Sequence, residues 1–99
     1  MILATKNAIN YIYIPLSSIC EIGGLNNLIV TFASESDPND IQIINVNFQV
    51  LNNWIKIEYI DSSTPNFNEV NLKEPFSRYI VSISSNNVNY WSEPLKVIS

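Results

Sequence analysis

Ninety-nine residues with 46% hydrophobic and 14% charged content make one folded core and exclude a disordered tail, which would be charged and poor in apolar residues. The net charge of −4 leaves only five basic residues, Lys6, Lys56, Lys73, Arg78 and Lys96. They are scattered, so the chain lacks the basic patch that nucleic-acid binding or an anionic membrane surface requires.

The chain has no histidine and a single cysteine, Cys20. That excludes Ser-His and Cys-His nucleophile systems, clustered His/Cys metal sites and an intrachain disulfide. Cys20, close to Ile19 and Ile22, reads as a small buried hydrophobe. Sixteen Ile and fifteen Asn dominate the composition. Ile is β-branched and favours strands, whereas Asn tolerates positive φ and favours turns. A bias towards A/T-rich codons would enrich the same residues. No apolar run approaches the roughly twenty residues of a membrane helix. The opening residues lack a signal-peptide pattern, and no Asn-X-Ser/Thr sequon occurs. For a chain of 11.2 kDa, the scaling of surface with mass predicts roughly 5,700 Å² folded against about 16,000 Å² unfolded.

Along the chain, Ile9, Tyr11 and Tyr13 alternate with Asn10, Ile12 and Ile14, a strand that Pro15 stops. Residues 15–21 are expected to continue extended on a sheet edge, where proline is tolerated. Gly23-Gly24 and Asn26-Asn27 mark a turn, and residues 28–32 a central strand apolar on both sides. An acidic loop over 33–40 precedes the longest β signal, residues 41–60. Within it Ile41 and Ile43 share one parity and Ile44, Val46, Phe48 and Val50 the other, as a bulge or a switch between sheets would produce. Asn45, Asn47 and Gln49 fall on a wet face. Asn52-Asn53 makes a two-residue turn, and Ile55, Ile57 and Tyr59 alternate with Lys56 and Glu58 on the return. Residues 61–66 form a loop, 67–72 a weak strand, and Pro75 a corner. Residues 78–84 and 95–98 are the last two strands. No helical periodicity runs for three turns, and about seven strands with turn signals every 8–12 residues are the pattern of a β-sandwich.

The closing hairpin carries a family resemblance. Its sequence YIVSISSNNVNYWSEPLKV, from Tyr79 to Val97, resembles the end of an IPT/TIG immunoglobulin-like domain. Ser84-Ser85-Asn86-Asn87-Val88-Asn89-Tyr90 stands where that family has a Ser-x-Asn-Gly or Asn-Asn turn followed by an aromatic. The segment ICEIGGLNNLIVTF, Ile19 to Phe32, is similar to its Gly-Gly turn before the second strand. The family's usual hairpin glycine and the glycine after its second strand are absent. Fibronectin type III is the rival: Tyr79-x-Val81-x-Ile83 resembles its tyrosine-containing strand and Ser92-Glu93-Pro94-Leu95 its last strand. Each resemblance covers about a third of the chain. Both imply an immunoglobulin-like sandwich used for spacing or binding, and neither supplies catalytic residues.

Candidate sites are few. Glu35, Asp37, Asn39 and Asp40 offer a weak set of oxygens for calcium, although Pro38 stiffens the loop and a solvated acidic loop is the favoured reading. Tyr90 and Trp91 lie past the last turn; in an extended segment they point to opposite faces, leaving one exposed as an anchor for a partner. With Asn86 and Asn87 they form the partner-binding candidate. Trp54 is assigned to the core.

The expectation is therefore an all-β fold: a single immunoglobulin-like antiparallel β-sandwich of about seven strands over residues 1–99, with no enzymatic activity and no cofactor. Protein partners are expected, in a larger assembly or a homo-oligomer joined through a sheet edge or the loop ends. Nucleic acid and membrane insertion are not, and a glycan is the lesser alternative. A short chain starting at Met1, without signal peptide or disulfide, suits a phage or virus virion component such as a capsid-decoration or tail-associated protein. It would sit on the virion or an extracellular surface. The alternatives are a module of a larger cell-surface adhesin or receptor, or an accessory domain of an enzyme.

Overall fold

Runs of Ile, Val, Tyr and Phe pair as strands wherever the turns between them allow it. The computed structural model describes residues 1–18, 28–73, 77–85 and 87–98, so Cys20, the Gly23-Gly24 and Asn26-Asn27 turn, Pro75 and Asn86 lie outside the described residues. Its strands are β1 (Ile2–Thr5), β2 (Ile9–Pro15), β3 (Leu28–Ser34), β4 (Ile41–Val46), β5 (Phe48–Leu51), β6 (Trp54–Ile60), β7 (Arg78–Ser85) and β8 (Val88–Ile98). Two sheets result, one ordered β1-β8-β7-β3-β4 and the other β2-β6-β5. The second sheet and the β4-β3-β7-β8 portion of the first have the strand order of an immunoglobulin-like sandwich. Every strand pairing is antiparallel except that of β1, which lies parallel to β8. β1 is a strand that the sequence does not show, since four residues are too few to show a period.

The core lies between the sheets. Ile12 and Ile14 of β2 and Ile55, Ile57 and Tyr59 of β6 face Val30 and Phe32 of β3 and Val81 and Ile83 of β7, all buried. Across the layers, the Phe32 and Tyr59 rings meet at 5.1 Å with planes tilted by 53°, a geometry that the opposed charge of ring edge and face favours. The folded surface of 5872 Å² agrees with the value expected from mass.

Polar pins fix one end of the sandwich. Tyr79, fully buried at the start of β7, donates its hydroxyl to Asp40 Oδ2 at 2.6 Å and accepts the Lys73 N–H at 3.0 Å. A tyrosine there, bonded back to backbone a few residues upstream, is the tyrosine corner of immunoglobulin-like folds. At the same end, Asp61 accepts the backbone N–H of Asn7 at 2.9 Å and of Leu72, next to Lys73, at 2.7 Å. It also pairs with Lys6 Nζ at 3.2 Å, both side chains being buried. One carboxylate thus joins the β1–β2 turn, the end of β6 and the segment before Pro75.

Four expectations change. Past Pro15 the chain forms a short 3₁₀ turn, Leu16–Ser18, instead of staying extended; Leu16 N–H donates to Asn53 O at 2.8 Å and its side chain packs on the core. The switch between sheets falls at Asn47, between β4 and β5, not at Ile43/Ile44. Ile41 and Ile43 belong to the same strand as Ile44 and Val46 and simply face outward. Residues 67–72 are no strand: Asn66–Glu69 is a turn, Asn68 has φ 60°, and only Val70 bridges, to Asp61. The last strand begins at Val88, not near Leu95, so Tyr90 and Trp91 lie within the sheet.

Candidate interaction surface

Each sheet has an outer face, and the two differ. In the middle of the five-stranded sheet the outer face is hydroxyl-rich: Ser82 of β7 pairs with Ser92 of β8, their hydroxyls 3.0 Å apart, and with Thr31 of β3. On the three-stranded sheet it is aromatic. In the β2–β6 register Ile9 lies beside Ile60, Tyr11 beside Glu58, Tyr13 beside Lys56 and Pro15 beside Trp54; β5 adds Gln49 beside Lys56 and Leu51 beside Trp54. Every one of these lies on the parity opposite to the buried Ile12, Ile14, Ile55 and Ile57. Ile9, Tyr13 and Trp54 are 55%, 52% and 49% exposed. The assignment of Trp54 to the core is thereby corrected: it stands on the outward parity of β6, opposite to the buried Ile55 and Ile57, and points away from the second layer. A hollow lined by Pro15, Leu16, Ser17, Asn53 and Trp54 continues the face at this end.

The electrostatics of this face are balanced. Lys56 and Glu58 stand two residues apart on the central strand. Lys56 Nζ lies 4.5 Å from the centroid of the Tyr11 ring, a cation–π contact. Neither side chain makes an ion pair among the described residues.

A groove of about 360 Å³ opens where the chain crosses from β4 to β5. It gathers the expected wet face, Asn45, Asn47 and Gln49, together with Asn68, and is bordered by Lys56 and Glu58. Tyr59 also lines it, and the buried Tyr59 hydroxyl has no hydrogen-bond partner among the described residues. Burial, and to a smaller extent the nearby Asp61 charge, push the Tyr59 phenol well above its ordinary range.

The acidic loop is committed to its own folding. Asp37 accepts Asn39 N–H at 3.0 Å and pairs with Lys73 at 3.1 Å; these hydrogen bonds hold its carboxyl below the usual range. Asp40 accepts Gln42 Nε2 at 3.0 Å and the Tyr79 hydroxyl. Glu35 and Asn39 are exposed. Among the described residues no group of three or more His, Cys, Asp or Glu is placed to hold a metal ion.

At the hairpin, Asn87 sits exposed in the turn with φ 66°. Tyr90 and Trp91 are both half-buried against the core, which differs from the opposite faces expected of an extended pair. The register explains it: Ile83 opposes Trp91 and Ser84 opposes Asn89, so Tyr90 is the extra residue of a bulge, and a bulge re-aims side chains. The sequence did contain the aromatic face, in the alternation of Ile9, Tyr11 and Tyr13, but without the sign of the parity.

No protein-family model, no curated protein and no solved structure matches the chain.

Proposed function

We propose that this domain is a non-enzymatic structural and protein-interaction module of a phage or virus particle, a capsid-decoration or tail-associated protein. The observation that carries the interaction reading is the outer face of β2-β6-β5. It leaves three half-exposed aromatic or isoleucine anchors, Ile9, Tyr13 and Trp54, on a rigid sheet. Contiguous apolar surface beyond a few hundred Å² is uncommon on monomeric proteins and marks interaction sites, and Trp and Tyr are the residues that most often anchor them. The absence of histidine from the sequence also supports a binding role over acyl or phosphoryl chemistry. An IPT/TIG-like ancestry fits the same reading, because such sandwiches serve as spacers and docking modules. Mass spectrometry of density-purified particles from the source culture tests it. The chain at fixed stoichiometry with the capsid or tail proteins is the expected result; particles free of the chain overturn the assignment.

A second reading, a glycan-binding module of a cell-surface adhesin, draws on the amide-lined groove. Amides offer donors and acceptors together, as vicinal hydroxyls require, and the groove lies within the usual size range of small-ligand sites, about 300–1,000 Å³. Titration with a panel of saccharides, read by amide shifts at Asn45, Asn47 and Asn68, decides it.

A further inference from the structure

The apolar face has a symmetry that names its occupant. On the central strand β6 one cation, Lys56, and one anion, Glu58, flank Ile57, whose side chain points into the core. Consider a two-fold axis in the plane of contact, perpendicular to β6 at the level of Ile57. It reverses the strand direction of a second sheet while leaving β2 over β2 and β6 over β6. Lys56 then faces Glu58 of the second copy, and Glu58 faces its Lys56. By the β2–β6 register, Tyr11 faces Tyr13 of the second copy, and the Pro15–Trp54 row faces the Ile9–Ile60 row. Each group thus meets a complement, which is the condition for an isologous interface. A face bearing two like charges at these positions could not do this.

We propose that the outer face of β2-β6-β5 is a self-complementary dimer interface, packed sheet on sheet against a second copy of this chain. This rests on reading the face as an interaction surface and adds who covers it. Aligned sheets pack about 10 Å apart, a span that a lysine and a glutamate reaching from opposite sides can close. Specific interfaces bury about 1,200–2,000 Å² in total, and a three-stranded face with three half-exposed rings belongs at the lower end of that range. The rings supply the attraction and the charge pair sets the register, because a desolvated ion pair gives little net affinity but a like-charge contact is strongly disfavoured. Lys56 over the Tyr11 ring also holds that ring in place before contact, which lowers the ordering cost of association.

Sedimentation of the full chain from about 1 μM to about 1 mM, the span in which an interface of this size associates, tests the proposal. The wild-type chain is expected to pass from monomer to dimer across that range. K56E places two acids on the face and E58K two bases; each alone is expected to remain monomeric while keeping the wild-type circular dichroism and melting profile. An equimolar mixture of the two is expected to recover the dimer, and so is the double exchange K56E/E58K. A wild-type chain that stays monomeric throughout overturns the proposal, as do single variants that dimerise like wild type or a mixture that stays monomeric. Those outcomes leave the particle assay untouched, since a face that rejects a second copy can still dock on another protein. Particles that lack the chain, conversely, do not affect the sedimentation result.

Discussion

At the scale of single residues, two buried tyrosines face each other's opposite situation. Tyr79 is hydrogen-bonded on both sides, to Asp40 and to Lys73 N–H, whereas the Tyr59 hydroxyl has no partner among the described residues. Removing one partner from a buried pair strands the other, at a cost of about 2 kcal/mol when a carboxylate is involved, whereas deleting an unpartnered hydroxyl strands nothing. Tyr79→Phe is therefore expected to lower the melting temperature by about 10 °C in a domain of this size, and Tyr59→Phe to leave it unchanged or raise it. Differential scanning calorimetry of the pair checks both signs. The asparagines show a similar division of labour. Asn7, Asn52, Asn68 and Asn87 are the non-glycine residues with positive φ among the described residues, so turns that elsewhere use glycine here use asparagine. At Asn52 (φ 52°) a Cβ is tolerated only with strain. Asn52→Ala is expected to cost about 1 kcal/mol and Asn52→Gly close to nothing, as read by urea denaturation. The Asn-Asn pairs made the turns at Asn52 and Asn87 legible in the sequence, whereas Asn68 reads there as part of a strand. The partner of Tyr79 was not, because Asp40 is thirty-nine positions away.

At the scale of elements, the sandwich is joined at one end by Asp61. Its carboxylate accepts two backbone N–H groups and a buried ammonium from two other segments, the β1–β2 turn and the stretch around Leu72. Asp61→Ala leaves Lys6 as an uncompensated buried cation and the two amides unpaired, a loss of about 3–5 kcal/mol. Lys6→Met keeps both amide bonds to the carboxylate and should cost less. Equilibrium unfolding in guanidinium checks this order, and equal losses would show that the ion pair, not the amide clasp, carries the junction. In the sequence Asp61 looked like the first residue of a polar loop, since a carboxylate's burial depends on what the distant chain brings to it. The hairpin shows the same limit: its two strands and turn were readable from Arg78 onward, but the bulge that turns both Tyr90 and Trp91 against the core is a property of the β7–β8 register.

For the whole molecule, the titration behaviour follows from the core. Burial, reinforced by the Asp40 hydrogen bond, pushes the Tyr79 phenol up to about 12 from its ordinary 10, and Tyr59 moves the same way, chiefly through burial. The folded chain then holds these protons more tightly than the unfolded chain does. Their contribution is complete below about pH 10 and is lost as the pH rises through about 12. Stability should fall steeply over that alkaline interval, and Tyr79→Phe should flatten the slope; chemical denaturation at stepped pH measures it. By itself the sequence determined the class of this protein. β-branched residues at period two, turns written in asparagine, no histidine and no basic patch define a small β-sandwich without a Ser-His or Cys-His pair. It did not determine which side of each strand is the inside. In β2 both parities are apolar enough to be core: Ile9, Tyr11 and Tyr13 on one, Asn10, Ile12 and Ile14 on the other. The tertiary structure buries the set that includes an asparagine, because Asn10 accepts Thr5 N–H at 2.8 Å and donates to Thr5 O at 3.0 Å, closing the β1–β2 turn. The tyrosines are left outside, beside Trp54 and around Lys56 and Glu58. Hydrophobicity alone cannot choose between two apolar faces; the hydrogen bonds that one buried polar group can complete decide it.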